Sequence, residues 1–293
     1  MMDEARQPEE VYPAWLEDLL GEAEAETLPQ IRQAALGLAA AAPCTDGSLR
    51  SICAALEESV SRVDLSLLRS SGWLARVSGR RKRNGREFSR QCDTVLAHES
   101  HLKAAAVALS RQHHEVMGSA PARKCVLALQ MECHTLATAV TQAAHWLELL
   151  TSAMDRSGHD AQLRRFAGIA AARITRLQER QAAANQLLDT YGVCADSRAQ
   201  LIELLERTWR RTFAAWQAQT IAANDQNAET PRVDSSFDAV QRVHTETRRL
   251  IHRIHACCIR LSQQEQQLLH CLTMLSDSAP QGGPHSLRGG LHG

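Results

Sequence analysis

The sequence predicts an all-α protein: an elongated bundle of long antiparallel helices with a coiled-coil-like helix at its C-terminal end. Three observations carry this expectation. Ala, Leu, Arg, Gln and Glu dominate, aromatic residues make up only 4% of the chain and β-branched residues are sparse, a composition suited to helices and not to pleated sheet. Apolar residues recur at steps of three and four over several long stretches. At 44% hydrophobic residues, a chain of 293 can fill the core of one large or two ordinary domains.

Taken in order, residues 1–62 offer a helix over Tyr12–Ala25, another over Pro29–Ala42 and a break at Pro43–Ser48. Their apolar faces are weak, so this acidic segment reads as a loosely ordered arm. Residues 63–85 combine a short apolar segment with the stretch SGRRKRNG, which has a glycine near each end and no apolar periodicity, and therefore reads as an exposed loop. From Phe88 a long amphipathic helix runs through Cys92, Val95, Leu102, Ala106, Leu109 and Val116, interrupted by Glu99 and His113. After a break at Gly118–Pro121, Val126, Leu129, Cys133, Leu136, Val140, Ala143, Leu147, Leu150 and Met154 follow without a missed step. The short connection predicts that these two helices pack antiparallel.

A third long helix carries Leu163, Phe166, Ala170, Ile174, Leu177, Ala184, Leu188 and Tyr191, with Gly192 as its expected end. Ser197 and Gln200 have the spacing of a capping box and predict the start of a fourth, whose face holds Ile202, Leu205, Trp209, Phe213 and Trp216. Residues 86–223 thus read as a four-helix bundle, followed by a polar linker at 224–234. In the last helix, 235–276, Val240, Thr247, Ile254, Leu261, Leu268 and Leu275 recur every seven residues. Val243, Leu250, Cys257, Gln264 and Cys271 stand at the expected alternate seam positions. The seam predicts a helix that folds back on the bundle, with pairing to a second copy as the alternative. Residues 277–293, rich in Gly and Pro, read as a disordered tail.

The formal charge is zero, but it is segregated. Residues 63–90 carry eight basic and two acidic side chains, and residues 1–62 four basic and twelve acidic ones. The basic candidates are Arg76, Arg80, Arg81, Lys82, Arg83, Arg86 and Arg90. Clustered arginines suit phosphate or carboxylate partners, so the readings are the acidic arm, an anionic membrane or protein surface, and nucleic acid. Nucleic acid ranks last, because no aromatic residues for base stacking are interleaved.

The N-terminal stretch MMDEARQPEE lacks the basic start and apolar run of a secretory signal, and no segment reaches the roughly 18–20 apolar residues of a spanning helix. The expected location is cytoplasmic, peripheral to the inner membrane at most. Nine dispersed cysteines fit a reducing compartment. His98 and His101, Cys133 beside His134, and His252, His255, Cys257 and Cys258 invite a metal reading. No CxxC, HExxH or zinc-finger spacing supports it, and no cofactor is expected. Cys257 and Cys258 are the candidate thiols for a redox reading, although helix neighbours point about 100 degrees apart and do not close a disulfide with each other. Phosphate loops and nucleophile elbows are missing, so no enzyme is indicated.

Val63-Asp64-Leu65-Ser66, Gly72-Trp73-Leu74, the glycine and basic loop, and Arg86-Glu87-Phe88 together resemble a segment of toxic-anion (tellurite) resistance proteins of the TelA family. Phe166, Arg173, Leu177, Arg180 and Gln181, then Thr208 and Trp216-Gln217, resemble that family's late helix pair. The likeness spans about residues 60 to 275 and rests on spaced positions in helices. It implies a role in bacterial resistance to tellurite or related envelope stress and transfers no catalytic residues, while the sequence itself supports a non-enzymatic scaffold or partner-docking protein. A thiol-dependent tellurite reductase and a nucleic-acid-associated coiled-coil protein are the alternatives.

Overall fold

The computed structural model describes residues 11–40, 48–69, 79–157, 161–229 and 234–277. All regular structure among them is helical. In chain order the helices are α1 (Val11–Glu22), α2 (Leu28–Ala40), α3 (Ser48–Ser61), α4 (Arg80–Gln112), α5 (Ala120–Ser157), α6 (Ala161–Glu203), α7 (Arg210–Glu229) and α8 (Asp234–Asp277). Three π turns, Ala23–Thr27, His113–Met117 and Leu204–Trp209, continue α1 into α2, extend α4 and join α6 to α7. A 3-10 turn covers Leu65–Arg69. No helix among the described residues is long and apolar enough to cross a membrane.

The chain divides into two compact units, one of Met1–Ala42, Ser119–Tyr191 and Gln267–Gly293, the other of Pro43–Gly118 and Gly192–Gln266. This differs from the expected bundle over residues 86–223. Within the first unit α5 packs on α1 and α2; within the second α4 packs on α3 and α7.

In the first unit Leu16, Leu20, Ala23, Thr27, Ile31, Ala34 and Leu38 are buried at steps of three and four. Residues 11–40 are therefore packed, not a loose arm. Ala and Thr at the seam dilute the hydropathy signal, but small side chains let helices approach closely. Gly37 marks that approach, since a Cβ there would stand 2.5 Å from Cys125 Sγ on α5. Arg173 of α6 donates to both oxygens of Glu24, at 3.1 and 2.9 Å, and Trp15 meets Trp146 with ring centroids 4.8 Å apart. The expected face of α5 is the one that is buried, with Leu129, Leu136 and Ala143 fully enclosed.

The helix does not stop at Gly192, and no new one begins at Ser197. The seam Ala184, Leu187, Tyr191, Cys194, Arg198, Leu201 and Leu205 keeps its three-four steps throughout. Gly192 lies on an open face, where a helical glycine costs roughly 1 kcal/mol and breaks nothing alone. Trp209, Phe213 and Trp216 form a buried stack with centroids 4.7 and 5.3 Å apart. The polar linker is also shorter than expected, because α7 continues to Glu229.

On α8 the seven-residue column Val240, Thr247, Ile254, Leu261, Leu268 and Leu275 is buried within this one chain. The second column differs from the expected one. It is Phe237, His244, Ile251, Cys258, Glu265 and Leu272, three residues before each member of the first; of the expected positions Leu250 and Cys271 are buried as well, while Val243, Cys257 and Gln264 are only half-buried.

Several sequence features lie outside the described residues: the break at 43–47, Gly72-Trp73-Leu74, Arg76, residues 158–160 and 230–233, and the tail after Asp277.

Candidate functional site

The basic segment is helical from Arg80 onward, which corrects its reading as a loop. Gly79 precedes the helix with φ 66°, a left-handed conformation that glycine adopts without strain, and its carbonyl accepts the Arg83 N–H at 3.3 Å. Phe88 anchors the start of α4 in the core. Asn224 of α7 donates to Ser89 Oγ at 3.3 Å, and Gly85 lies beside the same asparagine, where a Cβ would make an ordinary contact of 3.5 Å with Asn224 Oδ1. On the other flank, the Asp64 N–H donates to Gln91 Oε1 at 2.8 Å, and the Asp64 carboxylate accepts the Ser66 N–H at 2.9 Å. Asp64 thus holds the start of the 3-10 turn Leu65–Arg69 against α4.

Arg80, Lys82, Arg83, Arg86 and Arg90 are exposed on this anchored helix. Arg80, Arg83, Arg86 and Arg90 follow steps of three, three and four, which keeps them on neighbouring parts of one face. None of the five joins an ion pair among the described residues. Arg81 lies in the same helical turn; its side chain is outside the described residues, as is all of Arg76. The first turn contains no acidic residue. Cations at a helix N-terminus oppose the macrodipole, typically by 0.3–1 kcal/mol each, and an anion bound there meets both guanidinium groups and unsatisfied backbone N–H groups.

Cys257 and Cys258 differ in their surroundings. Cys257 is half-buried, whereas Cys258 faces the core and lies 3.6 Å, sulfur to sulfur, from Cys53 of α3. The hydrogen bond with Cys53, together with burial, pushes the Cys258 thiol far up, away from the reactive thiolate. One turn along α3, Glu57 accepts from His255 Nδ1 at 2.7 Å and His252 Nδ1 at 3.0 Å. Partial burial works to raise the Glu57 carboxyl, but the hydrogen bonds from His255 and His252 outweigh it and hold it below the usual range. An open cleft of about 330 Å³ lies beside Glu57, lined also by Ser61, Thr245, Arg248, Arg249 and His252. Among the described residues no three His, Cys, Asp or Glu side chains are arranged to hold a metal ion.

Comparison with protein families, with curated proteins and with solved structures returns no match.

Sequence reasoning missed the polar members of the buried α8 column. His244 Nδ1 accepts the Trp216 Nε1–H at 3.2 Å, and burial, with Arg248 nearby, lowers the imidazole to about 4. Glu265 Oε1 accepts from Arg198 Nε at 3.1 Å and Nη2 at 2.9 Å, with Arg198 fully enclosed. Burial, with Glu265 close by, pushes the neighbouring Cys194 thiol up to about 11. The available signal was positional: His244, Cys258 and Glu265 stand three residues before Thr247, Leu261 and Leu268, where a heptad expects its second seam residue.

Proposed function

We propose that this chain is a non-enzymatic helical scaffold that docks on an anionic surface through the start of α4. The supporting observation is a run of exposed cations, unpaired among the described residues, at the N-terminus of a firmly anchored helix. Leaving Arg80, Lys82 and Arg83 in the first turn, beside the positive helix terminus, has an electrostatic cost, which a phosphate-bearing or carboxylate-bearing partner would relieve. An anionic membrane is the surface this reading commits to, with peripheral contact and no insertion. The wider role, resistance to toxic anions such as tellurite in a bacterial stress response, is the one the resemblance to the TelA family implies.

Liposome co-sedimentation tests the docking step. Arg80, Lys82, Arg83 and Arg86 changed together to Gln preserve helix propensity, so helicity and melting should be unchanged while binding to phosphatidylserine vesicles weakens by about 1 kcal/mol per removed charge. Equal binding by both proteins would remove the membrane reading. In the native host, the same variant should fail to restore tellurite tolerance to a deletion strain that the wild type rescues; rescue by both would separate the resistance role from this surface.

A further inference from the structure

Cys53 and Cys258 come from helices far apart in sequence, yet their sulfurs are 3.6 Å apart in the second unit's core, with Cys53 1% and Cys258 5% exposed. The approach does not depend on the thiols alone. Glu57 follows Cys53 by one turn on α3, His255 precedes Cys258 by nearly one turn on α8, and their 2.7 Å contact fixes a second rung between the same helices. Closing a disulfide requires the sulfurs to approach to about 2.05 Å, a movement of roughly 1.5 Å that side-chain rotation and a small helix shift can supply.

We propose that Cys53 and Cys258 are an oxidation site, a dithiol that a small disulfide converts to a cystine joining α3 to α8. In the first exchange one cysteine thiolate attacks the small disulfide, giving a protein mixed disulfide and expelling one small thiolate. In the second, the other cysteine thiolate attacks the protein-side sulfur, forms the Sγ–Sγ bond and expels the second small thiolate. The two protons leave with the small thiols, so one disulfide is reduced to two thiols as the protein dithiol is oxidised. The hydrogen bond with Cys53, together with burial, keeps the Cys258 thiol protonated, which makes the step it carries slow at neutral pH and faster as pH rises. Cys257 is the competing target: it is more accessible, and because its chain neighbour Cys258 points about 100 degrees away on the helix, an adduct at Cys257 is not resolved by it. The inference is independent of the docking surface on α4.

The test is native full-length protein incubated with 2-hydroxyethyl disulfide at pH 8.5, alkylated and mapped by non-reducing mass spectrometry. The expected product is a peptide linked through Cys53 and Cys258 that dithiothreitol releases. Cys257→Ser should retain it, and Cys53→Ala should lose it. The oxidised wild type should melt about 5 °C higher than the reduced form, because the cross-link closes a long loop. An adduct at Cys257 with Cys53 and Cys258 still free would overturn the proposal. So would a link that forms only in unfolding concentrations of urea. The wild-type map and Cys257→Ser decide the matter even if Cys53→Ala folds poorly.

Discussion

His244 and Glu265 illustrate what a buried polar residue contributes in this protein. His244 accepts a hydrogen bond from Trp216, so its neutral form belongs to the folded state. Between pH 6.5 and about 4 the unfolded imidazole takes a proton that the folded one refuses. Its contribution is therefore complete above pH 6.5 and is lost as pH falls through that window, by on the order of 2–3 kcal/mol. His244→Gln keeps an acceptor for Trp216 without the titration, so urea unfolding at pH 7 and 4.5 should differ less in the variant than in the wild type. Glu57 adds a loss of its own below its ordinary value of 4.5, and this loss is common to both proteins. For Arg198 and Glu265 the expectation concerns pairing. Glu265→Leu alone removes the carboxylate that accepts two hydrogen bonds from an enclosed guanidinium and should cost about 3–5 kcal/mol, while Arg198→Met with Glu265→Leu should recover most of it in chemical unfolding.

At the scale of the helix, α8 separates what periodicity reveals from what it conceals. The column from Val240 to Leu275 is legible because its members are mostly branched or leucine. The second column is not, because hydropathy favours half-buried Val243 and Cys257 over the polar His244 and Glu265, although it does find the buried Leu250 and Cys271. His244, Cys258 and Glu265 are buried through partners on α7, α3 and α6, and contacts so distant in sequence leave no local mark. The same cause hid the continuity of α6, where Arg198 occupies a seam position next to a plausible cap. Substitution distinguishes the two columns: Ile251→Ala should lower stability by about 2–4 kcal/mol, and half-buried Val243→Ala by under about 1, as read from urea midpoints. Equal effects would return the seam to its expected phase.

For the molecule as a whole, composition and step pattern were enough for the fold class, but the division into two units depends on which helix faces fit, and that was not readable from spacing. Residues 11–40 are the clearest case, since Leu16, Leu20, Ile31 and Leu38 complete the core of the first unit. Deleting residues 1–42 should therefore expose the α5 face, abolish cooperative melting of that unit and increase binding of a hydrophobic dye; an unchanged melt would mean that the segment is dispensable. The narrow contact between α2 and α5 also bears on how this sequence can drift. Alanine at 37 would meet Cys125 Sγ at 2.5 Å, but a Cβ at 37 and the Cβ of residue 125 would be 3.7 Å apart, an ordinary contact. Alanine at 37 is thus compatible with alanine or glycine at 125 and, with cysteine there, requires Sγ to turn to another rotamer, so among diverging relatives a larger residue at 37 should favour a smaller one at 125.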